Sequence, residues 1–316
     1  MKNKELKFID LFAGIGGMRL AFESVGARCV FTCEIDKDAM LTYRSNFKVL
    51  DSEFSSDIRK LKSKTVPDHD ILIAGFPCQP YSIAGLRKGL LDERGKVFND
   101  IMRLLKEKKP AAFLLENVKG ITAHDNGETF KFLLARLESL GYSLVYKTLN
   151  TASHANIPQN RERVFIVGFR DARSLEKFSF PEKISLDLKV KDLLEKKVAL
   201  KYFYDARFNC YADLKDSVIS RNKVYQWRRQ YVRENKSGVC PTLTANMGSG
   251  GHNVPIILDK GGIRKLTPRE CARLQGFPDS FLLPEIADSK LYHQFGNSVS
   301  VPLIARIATK MVSALN

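Results

Sequence analysis

One short stretch decides how the chain folds: FIDLFAGIGG, residues 8–17. An apolar run leads into three glycines, Gly14, Gly16 and Gly17. Glycines at the turn from a strand into a helix let backbone amides come close to a nucleotide. The match to the dinucleotide-binding fingerprint is incomplete, because Arg19 stands at the third glycine position. The stretch predicts a strand, a tight turn and a helix, and it fits either a nucleotide site or a plain turn.

Outward from this stretch, the first half of the chain alternates apolar runs with amphipathic segments, which indicates an α/β fold with a parallel sheet. Such a sheet binds ligands beyond the carboxyl ends of its strands. Strands are predicted over residues 8–12, 28–34, 70–74, 111–116, 143–149 and 164–169, and helices over residues 17–25, 37–46, 97–108 and 128–140.

The end of the second predicted strand supports a nucleotide site. Glu34 lies about 20 residues after the glycine turn, where a carboxylate can accept hydrogen bonds from both hydroxyls of a ribose. Asp57 and Ile58, in the loop after a presumed third element, could hold an adenine between a carboxylate and an apolar side chain. NAD and S-adenosylmethionine share a ribose with free hydroxyls, so this geometry alone does not choose between them.

The βα alternation stops at about residue 181. Residues 182–262 read as irregular and rich in Lys, Arg, Tyr and Gly, whereas residues 300–314 form an amphipathic pattern that needs a sheet to pack on. We therefore expect the chain to leave its first domain, build a second one and return. The expected domains are residues 1–180 plus 292–316, for catalysis and cofactor binding, and residues 181–291, for target recognition.

Charge is the unusual feature of the composition. Among 316 residues, 51 Lys and Arg against 35 Asp and Glu leave a net charge of +16, which favours a polyanionic partner such as nucleic acid over an ordinary surplus of lysine. No signal peptide and no apolar run of about 18 residues is evident, so we expect a cytoplasmic chain without a membrane span. The one close cysteine pair, Cys29 and Cys33, lacks a second pair or histidines, so no metal site is expected.

A candidate nucleophile follows the predicted strand over residues 70–74. The sequence there is GFPCQPYS, residues 75–82, and its cysteine, Cys78, stands among prolines on what should be a stiff loop. The alternative is a buried structural cysteine, which is the common state of the residue type. Because thiolate is a strong nucleophile, an exposed Cys78 would suit covalent catalysis.

This segment resembles the Pro-Cys-Gln motif of DNA (cytosine-5) methyltransferases, the enzymes of bacterial restriction–modification systems. Further motifs of that family recur in order over about three quarters of the chain and are missing from residues 182–240. Departures are mild: Val97 replaces a more common leucine, and Ala84 stands where some members have serine. The matching segments are residues 8–17, 34, 57, 75–82, 94–98, 116–118, 159–163, 264–279 and 294–299.

The resemblance implies a fold, a reaction and a cofactor. The expected fold is a Rossmann-like S-adenosylmethionine-dependent methyltransferase domain with a smaller, mostly irregular or β target-recognition domain. The expected reaction transfers a methyl group from S-adenosylmethionine, which leaves as S-adenosylhomocysteine, to carbon 5 of a flipped-out cytosine in a specific duplex site. A covalent bond between Cys78 and carbon 6 activates the ring.

By the same resemblance, Glu116 gives a proton to the ring nitrogen N3, and Arg163 reaches the base carbonyl and braces Glu116. Burial of Glu116 would favour its protonated form and Arg163 its ionised form, and the sequence leaves that balance open. A plain ion pair at Glu116 is the structural alternative. Arg161 is expected to contact a phosphate, and the carbonyl of Pro77 to accept from the exocyclic amine of the base. The full catalytic set is Cys78, Glu116, Arg163, Arg161, Gln159, Pro77 and Asn117.

Two further sets complete the expected site. The cofactor-binding set is Phe12, Gly14, Ile15, Gly16, Gly17, Glu34, Ile35, Asp57, Ile58, Pro77, Val97, Asn297, Ser298 and Val299. The DNA-binding set is Gln79, Ser82, Arg94, Arg221, Arg228, Arg229, Arg233, Thr242, Leu243, Gly250 and Gly251. The basic residues between 221 and 236 suit phosphate contacts, with a solvated charged face as the alternative. Thr242 and Leu243 resemble the Thr-Leu pair that lies near the flipped base in the family.

We expect a monomer of a prokaryotic cell or phage that acts on double-stranded DNA. The resemblance also suggests a restriction endonuclease encoded nearby that the chain does not bind. The rival functions are the same chemistry on transfer RNA, known in one eukaryotic branch of the family, and an inactive DNA-binding homologue. An NAD-dependent dehydrogenase would explain the glycine turn but not Cys78, Glu116 or Arg163.

Overall fold

The fold is known from a computed structural model that describes residues 5–77, 93–228, 230–235, 237–249 and 253–316. The strands are β1 Lys7–Leu11, β2 Arg28–Cys33, β3 Phe54–Ser55, β4 Ile71–Gly75, β5 Ala112–Val118, β6 Ser143–Asn150, β7 Gln159–Asn160, β8 Glu162–Phe169, β9 Val224–Trp227, β10 Val232–Asn235, β11 Cys240–Pro241, β12 Ile256–Asp259 and β13 Gly262–Lys265. The helices are α1 Gly17–Glu23, α2 Lys37–Asn46, α3 Glu93–Lys108, α4 Glu128–Glu138, α5 Thr151–Ala155, α6 Ala172–Lys177, α7 Tyr211–Ser217, α8 Pro268–Leu274, α9 Asp288–Asn297 and α10 Val301–Leu315.

A seven-stranded sheet in the order β3-β2-β1-β4-β5-β8-β6 forms the centre of the molecule. Each neighbouring pair is parallel except the two that β8 makes, so the prediction of a parallel sheet is wrong for β8. The reason is the connection from β6, because residues 151–161 hold only a five-residue helix and a two-residue strand. A parallel crossover needs a dozen or more residues, so this shorter link turns the chain back. The reversal puts the start of β8 at the edge where the other strands end.

Helices cover both faces of this sheet. On one face, α3 and α4 bury Phe98, Ile101, Phe130 and Leu133 with other apolar residues. On the other face lie α1 and α10, and α10 buries one side of its length, including Met311, against the sheet. The prediction that the last helix returns to the sheet is confirmed.

The α9–α10 segment is long and apolar enough to cross a membrane by length and composition. It is, however, two helices separated at residues 298–300, and the apolar side of α10 already packs on the sheet. This arrangement is that of a core helix in a globular fold.

A second sheet, antiparallel and in the order β10-β9-β12-β13, lies within the segment expected to be irregular. Together with α7 it encloses a small apolar cluster that includes Leu214, Tyr225 and Ile256. The β part of the expected target-recognition fold is therefore present, and the expectation that residues 182–262 lack regular structure is wrong. Strands of four residues are too short to show a clear period in the sequence.

Candidate active site and cofactor cavity

The glycine turn brings α1 directly to the carboxyl edge of the sheet. Phe12, Gly14 and Gly16 have left-handed backbones, with φ of 57°, 55° and 85°. A Cβ atom on Gly16 would lie 2.3 Å from the Phe47 ring, and one on Gly17 would lie 2.9 Å from Oγ of Ser298. Gly16 therefore has to be glycine, and at Gly17 a Cβ would press on the 297–299 segment, so the turn closes tightly against that segment and the residue after α2.

A cavity of about 350 Å³ opens beyond the ends of β1, β2, β4 and β5. Most of the predicted catalytic and cofactor-binding residues that the structure describes line it. They are Phe12, Gly14, Ile15, Gly17, Glu34, Ile35, Pro77, Glu116, Asn117, Arg161, Arg163, Asn297, Ser298 and Val299. Among the described residues, Gly16, Asp57, Ile58, Val97 and Gln159 do not line it.

Sequence reasoning missed several lining residues, among them Asp10, His293 and Gln294. Asp10 had a usable signal, since it is an acid between the apolar residues Ile9 and Leu11, directly before the glycine turn. Gln294 also had one, because it opens the matching segment over residues 294–299, whereas His293 had none, because its place at the cavity depends on how α9 packs.

Glu34 ties the glycine turn to the end of β2. Its carboxylate accepts hydrogen bonds from the backbone N–H groups of Gly14, Ile35 and Asp36, each at 2.7 Å. The side chain of Ile35 is 60% exposed beside it, which leaves an apolar surface at the rim of the cavity. An acceptor and an apolar surface side by side suit a nucleoside.

Asp57 and Ile58 are placed differently from what an adenine contact suggests. Arg59 donates to both carboxylate oxygens of Asp57, through Nε at 2.9 Å and Nη2 at 2.8 Å, and these bonds lower the Asp57 pKa. Ile58 is buried in the core beneath the sheet. The adenine contact of both residues stays a prediction.

Glu116 and Arg163 meet at the edge of the sheet. Arg163 Nε lies 3.1 Å from Glu116 Oε1, and the side chains of Arg163 and Glu116 are only 15% and 11% exposed. The antiparallel pairing of β5 and β8 sets Arg163 opposite Val118, two residues beyond Glu116. Because β8 runs in reverse, its first residues face the same cavity as the last residues of β5, and an acid stands beside a guanidinium there.

Asn117 fixes the segment that precedes the nucleophile. Its Nδ2 donates to the carbonyl of Phe76 at 3.1 Å, and its Oδ1 accepts from the Val118 N–H at 2.8 Å. The Phe76 ring packs 5.9 Å from that of Phe98 on α3. Pro77 is held at the cavity by these contacts, directly before Cys78 in the chain. Cys78 itself, with Gln79 and Ser82, lies outside the described residues.

Arg161 is wholly enclosed, so the expectation of a phosphate contact is wrong. It is 2% exposed and donates to the carbonyls of Leu243 at 2.8 Å, Gly296 at 3.2 Å and Ser298. Burial lowers its pKa to about 9, and the positive charge of Arg163 acts in the same direction. Arg161 joins the catalytic sheet to the segment of Leu243 and to the end of α9.

Gln159 is likewise fully buried and does not face the cavity. Its Nε2 donates to the Leu274 carbonyl at 2.7 Å, and its Oε1 accepts from the Leu243 N–H at 3.1 Å. The Thr242 hydroxyl donates to the Asn160 carbonyl at 2.6 Å. The side chain of Leu243 is 0% exposed, so any DNA contact of this Thr-Leu pair falls to Thr242.

A second, strongly polar cavity of about 330 Å³ lies on the other side of residue 160. Two of the predicted DNA-binding arginines, Arg228 and Arg233, line it, and Arg228 Nη2 lies 3.3 Å from Gln226 Oε1. The lining residues are Asn160, Gln226, Arg228, Arg233, Asn235, Pro241, Thr242, Thr244, Asn246 and Asn253. Arg221 is exposed in the turn before β9 and does not line this cavity. Arg229, Gly250, Gly251 and the side chain of Arg94 lie outside the described residues.

Comparison with known proteins agrees with this geometry. The family model of the C-5 cytosine-specific DNA methylases matches residues 6–313. Type II methyltransferase M.Bsp6I of Bacillus sp. (strain RFL6) is 50% identical over 98% of this chain and 99% of its own length. Type II methyltransferase M.HhaI of Haemophilus parahaemolyticus is 40% identical over 100% and 98% of the two chains.

Among solved structures, the S. pombe Dnmt2 methyltransferase is similar in fold, with a TM-score of 0.76 at 21% identity over 99% of this chain and 100% of that one. The chain therefore belongs to the C-5 cytosine-specific DNA methylase family and is an S-adenosylmethionine-dependent DNA (cytosine-5) methyltransferase.

Proposed function

We propose that this enzyme methylates a cytosine that has rotated out of duplex DNA, with Cys78 as the nucleophile. The observation that carries the proposal is the meeting of Glu116 and Arg163 at one cavity with Pro77, the residue directly before Cys78. A base inside a duplex cannot reach a cavity at the edge of a sheet, so the target base must leave the stack.

The protein groups activate the base in a fixed order. The Cys78 thiolate adds to carbon 6 while Glu116 gives a proton to N3, and carbon 5 becomes nucleophilic as an enamine. S-adenosylmethionine, when bound, supplies an electrophilic methyl group for carbon 5 and leaves as S-adenosylhomocysteine. Loss of the carbon 5 proton to a water molecule then expels Cys78 as thiolate, and N3 returns its proton to Glu116 as the aromatic ring is restored. Every step uses protein side chains, water and the methyl donor, so we propose no metal.

Residues around the flipped base would hold it in register. Arg163 would donate to the base carbonyl and restrain Glu116, and the carbonyl of Pro77 would accept from the exocyclic amine, which thymine lacks. Asn117 would act through the Phe76 carbonyl, and Gln159 and Arg161 through the backbone of Leu243. These last three are positioning residues.

The cavity residues fit S-adenosylmethionine. Glu34 would bind the ribose hydroxyls, Ile35 would cover the adenine, and the backbone amides of residues 14–17 with residues 297–299 would surround the amino-acid half. The support is the turn at Gly16 and Gly17, where an added Cβ atom would lie too close to its neighbours. This turn packs against the 297–299 segment.

We further propose that the polar cavity reads base edges of the duplex. Its guanidinium groups on Arg228 and Arg233 match the acceptors of guanine, and its amides match adenine, whereas the exposed Arg221 would contact phosphate. The net charge of +16 supports the DNA partner.

Trapping of the covalent bond tests the nucleophile. A duplex with 5-fluorocytosine at the target site should form an adduct that survives denaturation, because fluorine cannot leave carbon 5 as a proton does. Cys78→Ser should form none, whereas Cys210→Ser, a change at a half-buried cysteine of the second domain, should form as much as wild type. An adduct in the Cys78→Ser protein, or methylation of transfer RNA in place of the duplex, would overturn the proposal.

We also propose a cytoplasmic monomer that protects DNA within a restriction–modification system of a bacterium or phage. The support is the Type II methyltransferase name of relatives that the chain spans almost completely. Bisulfite sequencing of DNA from an expressing host would give the methylated sequence, and digestion with a restriction enzyme of that specificity should fail. Light scattering would test the monomer.

A further inference from the structure

His293 lies at the cofactor cavity and has no part in the proposed mechanism. It is half-buried on α9, and the two nitrogen atoms of its ring face two different parts of the molecule. Nδ1 lies 2.8 Å from the carbonyl oxygen of Ala245, in the loop after β11, and Nε2 lies 2.9 Å from Nδ2 of Asn297. The ring therefore connects the second domain with a residue that lines the cofactor cavity.

The hydrogen-bonding groups fix the direction of this connection. A carbonyl oxygen only accepts, so Nδ1 of His293 carries the proton and donates to Ala245. In the neutral ring Nε2 is then an acceptor, and it takes a hydrogen bond from the amide of Asn297. If that amide turned over, its oxygen would face an acceptor and the bond would be lost. The orientation of the Asn297 amide thus controls the position of the ring.

Ala245 stands between two residues that line the polar cavity, Thr244 and Asn246. Both are exposed, and the Thr244 hydroxyl donates to Oδ1 of Asn246 at 2.7 Å. The position of the Ala245 backbone therefore sets where these two side chains stand relative to a bound duplex.

The backbones of α9 and of this loop touch at Gly296. A Cβ atom there would lie 2.5 Å from the nitrogen of Ala245 and closer still to the carbonyl of Thr244. Because no space separates them, neither backbone can shift without the other. Arg161 also joins the two, but through backbone carbonyls on both sides. The link through His293 differs because it ends on a side chain that faces the cofactor cavity.

We propose that His293 is a positioning residue that couples cofactor binding to recognition of the target sequence. A ligand in the cofactor cavity orders the Asn297 amide, the amide fixes the His293 ring, and the ring fixes the Ala245 backbone beside the polar cavity. Such coupling is reciprocal, so the correct duplex strengthens cofactor binding by the same factor. The inference rests on the proposed roles of the two cavities in cofactor binding and in base reading.

Calorimetry with S-adenosylhomocysteine measures the coupling. The ligand is titrated into protein saturated either with its target duplex, whose sequence comes from bisulfite sequencing, or with a duplex altered at one base pair of that site. Wild type should bind the ligand about fivefold or more tightly with the target duplex than with the altered one, as expected for two coupled sites. His293→Ala should bring this ratio to about one. A merely structural role would weaken both complexes alike and leave the ratio unchanged.

Two conservative variants separate the two ends of the link. His293→Asn places an amide nitrogen near the position of Nδ1 and keeps the bond to Ala245, whereas His293→Gln reaches toward Asn297 instead. Because the coupling needs both bonds, each variant should fold and still lose the ratio. His124→Asn is the control, since this half-buried histidine bonds to Thr129 at 2.8 Å and lines neither cavity. It should keep the wild-type ratio.

Steady-state kinetics on the target duplex give a second readout. His293→Ala should raise KM for S-adenosylmethionine about fivefold and leave kcat nearly unchanged, because the partners of the ring are Ala245 and Asn297 and not the reacting groups. A wild-type ratio in His293→Ala or in both conservative variants, or a ratio of about one in wild type, overturns the inference and leaves the proposed function intact. Failure of wild type to bind S-adenosylhomocysteine, or equal affinity for the two duplexes, would instead contradict the proposed function.

Discussion

The cofactor cavity and the polar cavity lie on two sides of one short segment, residues 159–161, yet they are assembled differently. The first collects mainly residues that directly follow the ends of parallel strands, so most of its parts are short runs in the sequence. The second collects single residues from β9, β10 and the loop after β11. Gln226 and Arg233 face each other there only because β9 and β10 pair in that register.

This difference teaches where the molecule can change. A strand-end cavity depends on backbone turns such as Gly16, where a Cβ would lie 2.3 Å from a ring, so its residues are tightly constrained. Side chains on short antiparallel strands can be exchanged one at a time, while a register shift by one residue would turn them all to the other face. We therefore expect chemistry to be lost by changes in the first cavity and site preference to be altered by changes in the second.

The largest effect should come from Glu116→Gln. The amide cannot give a proton to N3, and loss of one positioned acid costs about 10²–10⁴-fold in rate. Single-turnover methylation should fall by that factor while binding of duplex DNA changes little. Glu162→Gln, which removes an exposed carboxylate paired with Lys119 at 3.2 Å, is the control and should stay near wild type. Turnover within about tenfold of wild type would remove Glu116 as the acid.

Arg161→Ala should damage both cavities. Arg161 lines the cofactor cavity, and its guanidinium binds the carbonyl of Leu243, which lies between two residues of the polar cavity, Thr242 and Thr244. Two buried carbonyls and the half-buried carbonyl of Ser298 would lose their donor, and an unsatisfied buried group costs about 1–3 kcal/mol, so we expect the free energy of unfolding to fall by about 3 kcal/mol. Urea denaturation measures this loss. The salt dependence of DNA binding, measured on protein that is still folded, should keep the wild-type slope. A slope reduced by about one would instead restore the phosphate contact.

Glu34→Gln should weaken cofactor binding alone. A charged acceptor for the ribose hydroxyls is worth about 1.5–3 kcal/mol, so calorimetry should show roughly ten- to hundredfold weaker S-adenosylhomocysteine binding. DNA affinity without cofactor should be unchanged. Glu23→Gln changes a carboxylate of α1 that does not line the cavity, and it should bind the cofactor much more tightly than Glu34→Gln. Equal affinities would make Glu34 a purely structural residue of the glycine turn.

The smallest effects should come from two arginines of the proposed DNA-binding surface, Arg233 and Arg221. Their replacement should change DNA binding in different ways. Arg233→Ala should cost about 1–3 kcal/mol at one position of the target site, because it lines the polar cavity. Arg221→Ala, from the exposed turn, should weaken all duplexes alike and lower the salt slope by about one. Competition with a panel of single-base-altered sites would separate the two. Identical behaviour of the two variants would contradict the proposed role of the polar cavity.

Local sequence patterns were enough to predict much of the catalytic domain. The glycine turn, the strand that leads to Glu34 and the amphipathic face of α10 follow from neighbouring residues. A strand end places its next residue at the ligand edge regardless of distant contacts. The helix over residues 37–46 was predicted with the bounds of α2, and the other boundaries moved by a few residues.

Contacts between residues far apart in the chain decided the direction of β8 and the partners of the buried polar side chains. The direction of β8 depends on a short link that no periodicity reveals, and this reversal is what carries Arg161 and Arg163 to the cavity. The carbonyls that Arg161 binds lie 82 to 137 positions away in the chain, so an arginine that looks like a phosphate ligand in the sequence is a buried clamp in the fold. Hydrogen-bond partners of buried polar groups are set by packing, and packing is a property of the whole chain.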